Sequence, residues 1–205
     1  MQIVQLTEEN AEEAVHLAVE VLKRGGIVLY PTDTVYGLAV DALNRPALAR
    51  LRALKGREEK KPISILLPRV DDISEYADLH VDAQPFVARH LPGALTLILP
   101  GTKKLPAELM LNGQIGIRVP ADSFGRDVAA ALGRPITATS ANRSGLPPPA
   151  FASDMANHFG PFAEHIDLII DAGERTGEPS TVLLFKQGVP YIVRPGAISP
   201  EELGL

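Results

Sequence analysis

At 205 residues, 45% hydrophobic and 22% charged, the chain suits one globular domain with a substantial core and is unlike a disordered polypeptide. It has no cysteine, which excludes disulfides, thiolate catalysis and cysteine-ligated zinc, and its net charge of −5 argues against nucleic-acid binding driven by overall charge. No apolar run approaches the roughly 18–20 residues that cross a bilayer, and the acidic start MQIVQLTEENAEEA is no signal peptide, so no membrane and a cytoplasmic address are expected.

In chain order, Thr7 is expected to cap a helix over 8–24, with Ala11, Ala14, Val15, Ala18, Val21 and Leu22 as its apolar stripe and Gly25-Gly26 as its end. IVLY (27–30) reads as a buried strand stopped by Pro31. A second helix over 46–55 has Pro46 in its first turn, Leu48, Leu51 and Leu54 inward, and Gly56 as terminator. ISILLP and ALTLILP are short apolar runs bounded by proline, and both read as strands. IGIRVP (115–120) is a strand, 122–132 a helix, ITATS a strand and DLIIDAG another. TVLLF and YIVRP follow as a hairpin-like pair, and SPEELGL closes as a short helix. SANRSGLPPPA is too short for a linker and reads as a stiff surface loop. The irregular interleaving predicts an α/β domain, a single domain around a twisted mixed β-sheet flanked by helices.

Charge is distributed unevenly. Arg50, Arg52, Lys55, Arg57, Lys60, Lys61 and Arg69 crowd twenty positions with only Glu58 and Glu59 against them, so this window is +5 and the remainder −10. Lys55, Arg57 and Lys61 either complement the dipole of a helix end or gather at one strand mouth to hold an anion such as a triphosphate. In YPTDTVYGL, Thr32, Asp33 and Thr34 either satisfy the backbone of a turn or, through Thr34, meet a substrate, with Tyr36 as a wall. Arg118 is either a solvated residue of an edge strand or a buried one that needs a fixed anion. Ser140 and Asn142 of TSAN fit a cap or an Asx turn as well as a ligand contact, and Ser180 and Arg194 are weak signals individually.

Phosphate loops of the Gly-x-x-x-x-Gly-Lys type, Gly-x-Gly-x-x-Gly fingerprints and His-Glu-x-x-His pairs are all missing. None of His16, His80, His90, His158 and His165 lies in a candidate loop, which argues against a histidine base.

YPTDTVYGL, KGR….KP, PGALTLIL, IGIRVP, TSANRSG, PSTV and VRPG, in this order over about 25–197, resemble the threonylcarbamoyl-AMP synthases, the YrdC-like domain family. That resemblance implies an enzyme joining L-threonine, bicarbonate and ATP into threonylcarbamoyl-adenylate with release of pyrophosphate. Partner proteins, the threonylcarbamoyl transferases, then modify an adenosine of tRNA. Carried over by motif, Thr34, Arg118, Ser140 and Ser180 would bind threonine. Arg57, Lys61, Asn142, the Ala150 backbone and Arg194 would bind the nucleotide. Lys55 would sit at the phosphate and bicarbonate end and, with Arg57, carry the catalysis. Mg²⁺ would come with ATP rather than from a protein-held site. Two segments are candidate lids, 55–62 and GLPPPA. Leu66 stands where some relatives place a polar contact to threonine, and the second, C-terminal domain of long members is not expected. Two rival readings are a dihydroxybutanone phosphate synthase, for which Asp33, Glu58 and Glu59 make a poor acidic loop, and an RNA-binding module using the basic window. For the latter, aromatic residues are only 5% and none interleaves with the bases, leaving at most a weak RNA contact.

Overall fold

Ten strands form one mixed sheet in the computed structural model, which describes residues 1–56 and 61–205. In chain order these are β1 (Gln2–Gln5), β2 (Val28–Tyr30), β3 (Gly37–Ala39), β4 (Ser64–Leu66), β5 (Leu95–Pro100), β6 (Gln114–Arg118), β7 (Ile136–Ser140), β8 (Leu168–Asp171), β9 (Thr181–Lys186) and β10 (Val189–Arg194). Their order across the sheet is β1-β8-β2-β3-β7-β4-β6-β5-β9-β10. β1 and β2 run parallel to β8, β4 to β6 and β5 to β9, while the other five neighbouring pairs are antiparallel. The expected α/β architecture with a mixed sheet is what the chain adopts.

Helices cover both faces. On one side α1 (Ala11–Lys23) and α5 (Ser123–Leu132) bury Ala14, Ala18, Leu22, Phe124 and Val128 against Val28, Tyr30, Leu66 and Ile170. On the other, α2 (Arg45–Lys55) buries Leu48, Leu51 and Leu54 in a larger core with Leu29, Leu38, Ile65, Ile117 and Leu183. Alternate residues of one strand thus serve opposite cores, as the pleat requires.

Helix α2 follows the sequence signals closely: the Asn44 side chain accepts from Ala47 N–H, Pro46 lies in the first turn, and Gly56 adopts φ +56° as the left-handed cap. For α1 the expected cap fails. Thr7 N–H donates to Asn10 Oδ1 (2.8 Å) and Asn10 N–H to Thr7 Oγ1 (3.3 Å), closing a turn ahead of a helix that begins only at Ala11. The Asn10 amide also donates to Gln5 O at 2.7 Å, so this turn ties β1 to α1 instead of extending the helix. Strands β1 and β3 were not expected from the sequence. Short helices at Ile73–Tyr76 (α3), Gln84–His90 (α4) and Met155–Phe159 (α6) also escaped notice, whereas α7 (Pro200–Leu203) was anticipated and carries a Ser199/Glu202 capping box.

Candidate active site

Strand alternation builds a cleft. On the face that α1 and α5 cover at one end, the positions further along the sheet carry small or polar side chains. Gly37 pairs with Ser140, Ser64 with Ala138, Leu66 with Arg118, and Thr96 with both Arg118 and Val182. Gly37, Ala138, Ser140, Ser64, Thr96 and Val182 therefore form a low floor across β3, β7, β4, β5 and β9. Gly116 continues this floor on β6, because a Cβ there would lie 2.2 Å from Ser64 Oγ. Above the floor stands an open cleft with a cavity volume of about 120 Å³.

Around it stand Tyr30, Thr32, Thr34, Tyr36, Arg118, Pro179, Ser180 and Arg194. Arg118 sits on a central strand and is only 8% exposed, which settles its two readings in favour of burial. Its Nη2 donates to Asp33 Oδ1 (2.5 Å) and to Thr34 Oγ1 (2.9 Å), while its buried Nε has no hydrogen-bond partner. Asp33 Oδ2 accepts from Ala121 N–H at 2.9 Å. Thr32 fixes this loop from within: its hydroxyl donates to Val35 O (2.7 Å) and accepts from Thr34 N–H (3.1 Å). Gly177 packs so closely on Thr34 that a Cβ would come within 2.5 Å of the Thr34 carbonyl.

At the other wall, Ser180 is buried with its hydroxyl 2.8 Å from Thr96 Oγ1, and Arg194 Nη2 donates to Ser180 O at 2.6 Å. Burial, and then the Arg118 charge, lower the Arg194 pKa from the ordinary arginine value. Burial likewise pushes the Tyr30 phenol up, against a downward pull from Arg118, so its hydroxyl stays protonated. Tyr36, the expected wall, donates its hydroxyl to Gly173 O (2.7 Å) and Asp171 Oδ1 (3.1 Å), anchoring the segment that leads to Ser180.

The proposed nucleotide residues are placed differently. Lys55 is 1% exposed and donates to the carbonyls of Ser140 and, at 2.8 Å, Asn142; its own carbonyl accepts from Ser144 N–H at 2.9 Å. The end of α2 is thus bolted to the TSAN loop. The Ser140 hydroxyl donates to Asn142 Oδ1, and the Asn142 amide donates to Arg143 O (2.9 Å) and Leu146 O (2.6 Å), the loop-closing role. Lys61 is exposed and outside the cleft lining, and the Ala150 carbonyl is taken by Arg175 N–H at 2.8 Å. Arg57 and half of the 55–62 candidate lid, residues 57–60, fall outside the described residues. Leu66 packs in the α1/α5 core, so no polar contact comes from it. Sequence reasoning passed over Thr96 and Ser64 as cleft residues and weighed Asp33 as a turn residue or as part of a poor acidic loop, not as a partner of Arg118. The signal was the small or polar residue at alternate positions of otherwise apolar strands.

No histidine lines the cleft. Its chemistry is that of fixed cations and hydroxyls around a low floor, suited to holding anionic or zwitterionic small molecules.

The sequence model of the Sua5, YciO and YrdC family, described as "Telomere recombination", matches residues 20–196. A threonylcarbamoyl-AMP synthase of Pyrococcus abyssi is 33% identical over 205 residues, covering 98% of this chain and 59% of that protein. The chain belongs to this family. Among solved members, P. abyssi Sua5 complexed with L-threonine matches with a TM-score of 0.86 and 32% identity, over 98% of this chain and 58% of its own length. A Methanobacterium thermoautotrophicum protein matches at 0.71 and 38% identity, over 96% of this chain and 93% of its own. The chain therefore spans about three-fifths of some family members and nearly all of others. No described helix is long and apolar enough to cross a membrane.

Proposed function

We propose that the chain is an L-threonylcarbamoyladenylate synthase, a nucleotidyltransferase that forms threonylcarbamoyl-AMP and pyrophosphate from L-threonine, bicarbonate and ATP, and that acts in the cytoplasm in tRNA modification. The observation that carries the reading is the buried Arg118, with an unpartnered Nε, in a cleft shared with Thr34, Ser180 and Arg194. A buried guanidinium is the natural receiver of an amino-acid carboxylate, and the hydroxyls of Thr34, Ser140 and Ser180 suit the amine and side-chain hydroxyl. The P. abyssi relative complexed with L-threonine supports the assignment.

In this reading the threonine ammonium first gives up a proton, and the free amine attacks the carboxyl carbon of bicarbonate; loss of water leaves a carbamate. A carbamate oxygen then attacks the α-phosphorus of ATP in line, and pyrophosphate departs. Neither step needs a protein nucleophile, since positioning alone supplies about 7–11 kcal/mol and preorganised donors add to it. Arg194 and the basic stretch Lys55, Arg57 and Lys61 supply positive charge for the phosphates. Lys55 does so from behind the TSAN loop, which it holds in place together with Asn142. Mg²⁺ would accompany ATP and would offset the charge of its phosphates. The adenylate is passed to a threonylcarbamoyl transferase.

The test is pyrophosphate release by the pure protein with ATP, Mg²⁺ and bicarbonate: it should require L-threonine, and release independent of the amino acid rejects the reading. Arg118→Ala should raise the threonine KM by about tenfold or more while ATP binding holds, and Arg57→Ala should do the reverse. Equal damage to both ligands in folded variants would refute the two-ligand division.

A further inference from the structure

A guanidinium offers a carboxylate two forks, Nε with Nη2 and Nη1 with Nη2, and each uses an Nη2 hydrogen. In this chain Nη2 already donates to two acceptors, Asp33 Oδ1 at 2.5 Å and Thr34 Oγ1 at 2.9 Å. Asp33 is itself fixed, since Oδ2 accepts from Ala121 N–H at 2.9 Å where β6 leads into α5. Arg118 is buried, and although Asp33 is exposed as a residue its side chain is only 14% exposed against 10% for Arg118, so water screens their charges only in part. Nε remains, buried and without a partner.

We infer that Asp33 is the affinity-setting counter-ion of the cleft: it occupies Arg118 as a stand-in for the substrate carboxylate, so that threonine binds beside a carboxylate already present. The inference rests on the reading that Arg118 receives threonine. Two consequences follow from the geometry. Without Asp33 a buried guanidinium would lack a counter-charge, which destabilises the folded chain. With it, an incoming carboxylate is confined to a single hydrogen bond from Nε or Nη1 unless Asp33 or Thr34 lets go, and it meets like-charge repulsion. Asp33 therefore stabilises the cleft and weakens its hold on threonine at once. Were Asp33 only an orienting strut for Arg118, its loss would weaken binding; the counter-ion role predicts the opposite sign.

The experiment is calorimetric titration of Asp33→Asn with L-threonine, with L-threoninamide, whose carboxylate is replaced, and with ATP. Threonine should bind about fivefold or more tightly than to the parent protein, threoninamide should not gain, and ATP affinity should stay within about twofold. The variant should melt lower than the parent without ligand and recover more than the parent on saturation with threonine. Unchanged or weaker threonine binding, or a parallel change for threoninamide, overturns the inference. Asp33→Ser serves the same titrations if the Asn variant does not fold. Arg118→Ala is the separate control: if it keeps the parent's preference for threonine over threoninamide, the carboxylate assignment itself is wrong, whatever Asp33 does.

Discussion

The floor of the cleft depends on one missing methyl group. Gly116 sits opposite Ile98 on a central strand, where any side chain would point at Ser64, with its Cβ 2.2 Å from Ser64 Oγ and 2.9 Å from Ser64 Cβ. Gly116→Val should therefore cost about 1–3 kcal/mol through overpacking and raise the floor under the ligands. A thermal melt should show the first effect and an increased threonine KM the second; a variant as stable and as active as the parent would contradict the close approach. Residues of this kind are legible only in part. Arg118, Thr34 and Ser180 stood out as polar groups at strand ends, but Gly116, Ser64 and Thr96 matter because of their neighbours on other strands. A linear reading sees each of them as an ordinary strand residue. Asp33 was visible in YPTDTVYGL, yet its partners Arg118 and Ala121 lie more than eighty positions away.

Among the elements, helix α2 and the loop after β7 behave as one piece. A lysine 1% exposed loses its full hydration, and here backbone carbonyls of Ser140 and Asn142 replace water. Lys55→Met keeps the length and apolar stem but removes the ammonium, so the Asn142 carbonyl loses this donor while the Ser140 carbonyl keeps the Asn142 N–H at 2.9 Å. The expected loss is about 1–3 kcal/mol of stability per unsatisfied buried group, with faster amide exchange across 140–146. Retained protection of that loop would show that Asn142 alone holds it. The strong helices α1, α2 and α5 were readable because their apolar spacing, prolines and glycines act within one segment. Strand β1 was not, since Gln2–Gln5 shows three exposed residues of four and no apolar run. Strand β3 is three residues long and was absorbed into the polar motif before it. The α1 cap was misread because Thr7 bonds to Asn10 and Asn10 to Gln5, a tertiary tie that outcompetes the simple cap.

Over the whole molecule, the sheet order defeats any local reading: β3 separates β2 from β7, and the last hairpin joins the edge beside β5, not beside its sequence neighbour β8. Such long-range pairings are decided by which strands share a core, information spread over the full length. The edges β1 and β10 each have one strand neighbour, and β10 exposes Val189, Tyr191 and Val193. Native-state hydrogen exchange should therefore open β1 and β10 first and the β7-β4-β6 centre last. Equal protection from edge to centre would mean that the sheet opens only as a unit.

The contributors to the cleft run from Tyr30 to Arg194, and its two arginines come from strands made far apart in time. During synthesis the growing polypeptide can shape most of its scaffold while the second wall, Ser180 with Arg194, is still being translated. A copy made only as far as β7 would hold both Asp33 and Arg118 but neither Ser180 nor Arg194, so the second wall closes the cleft last.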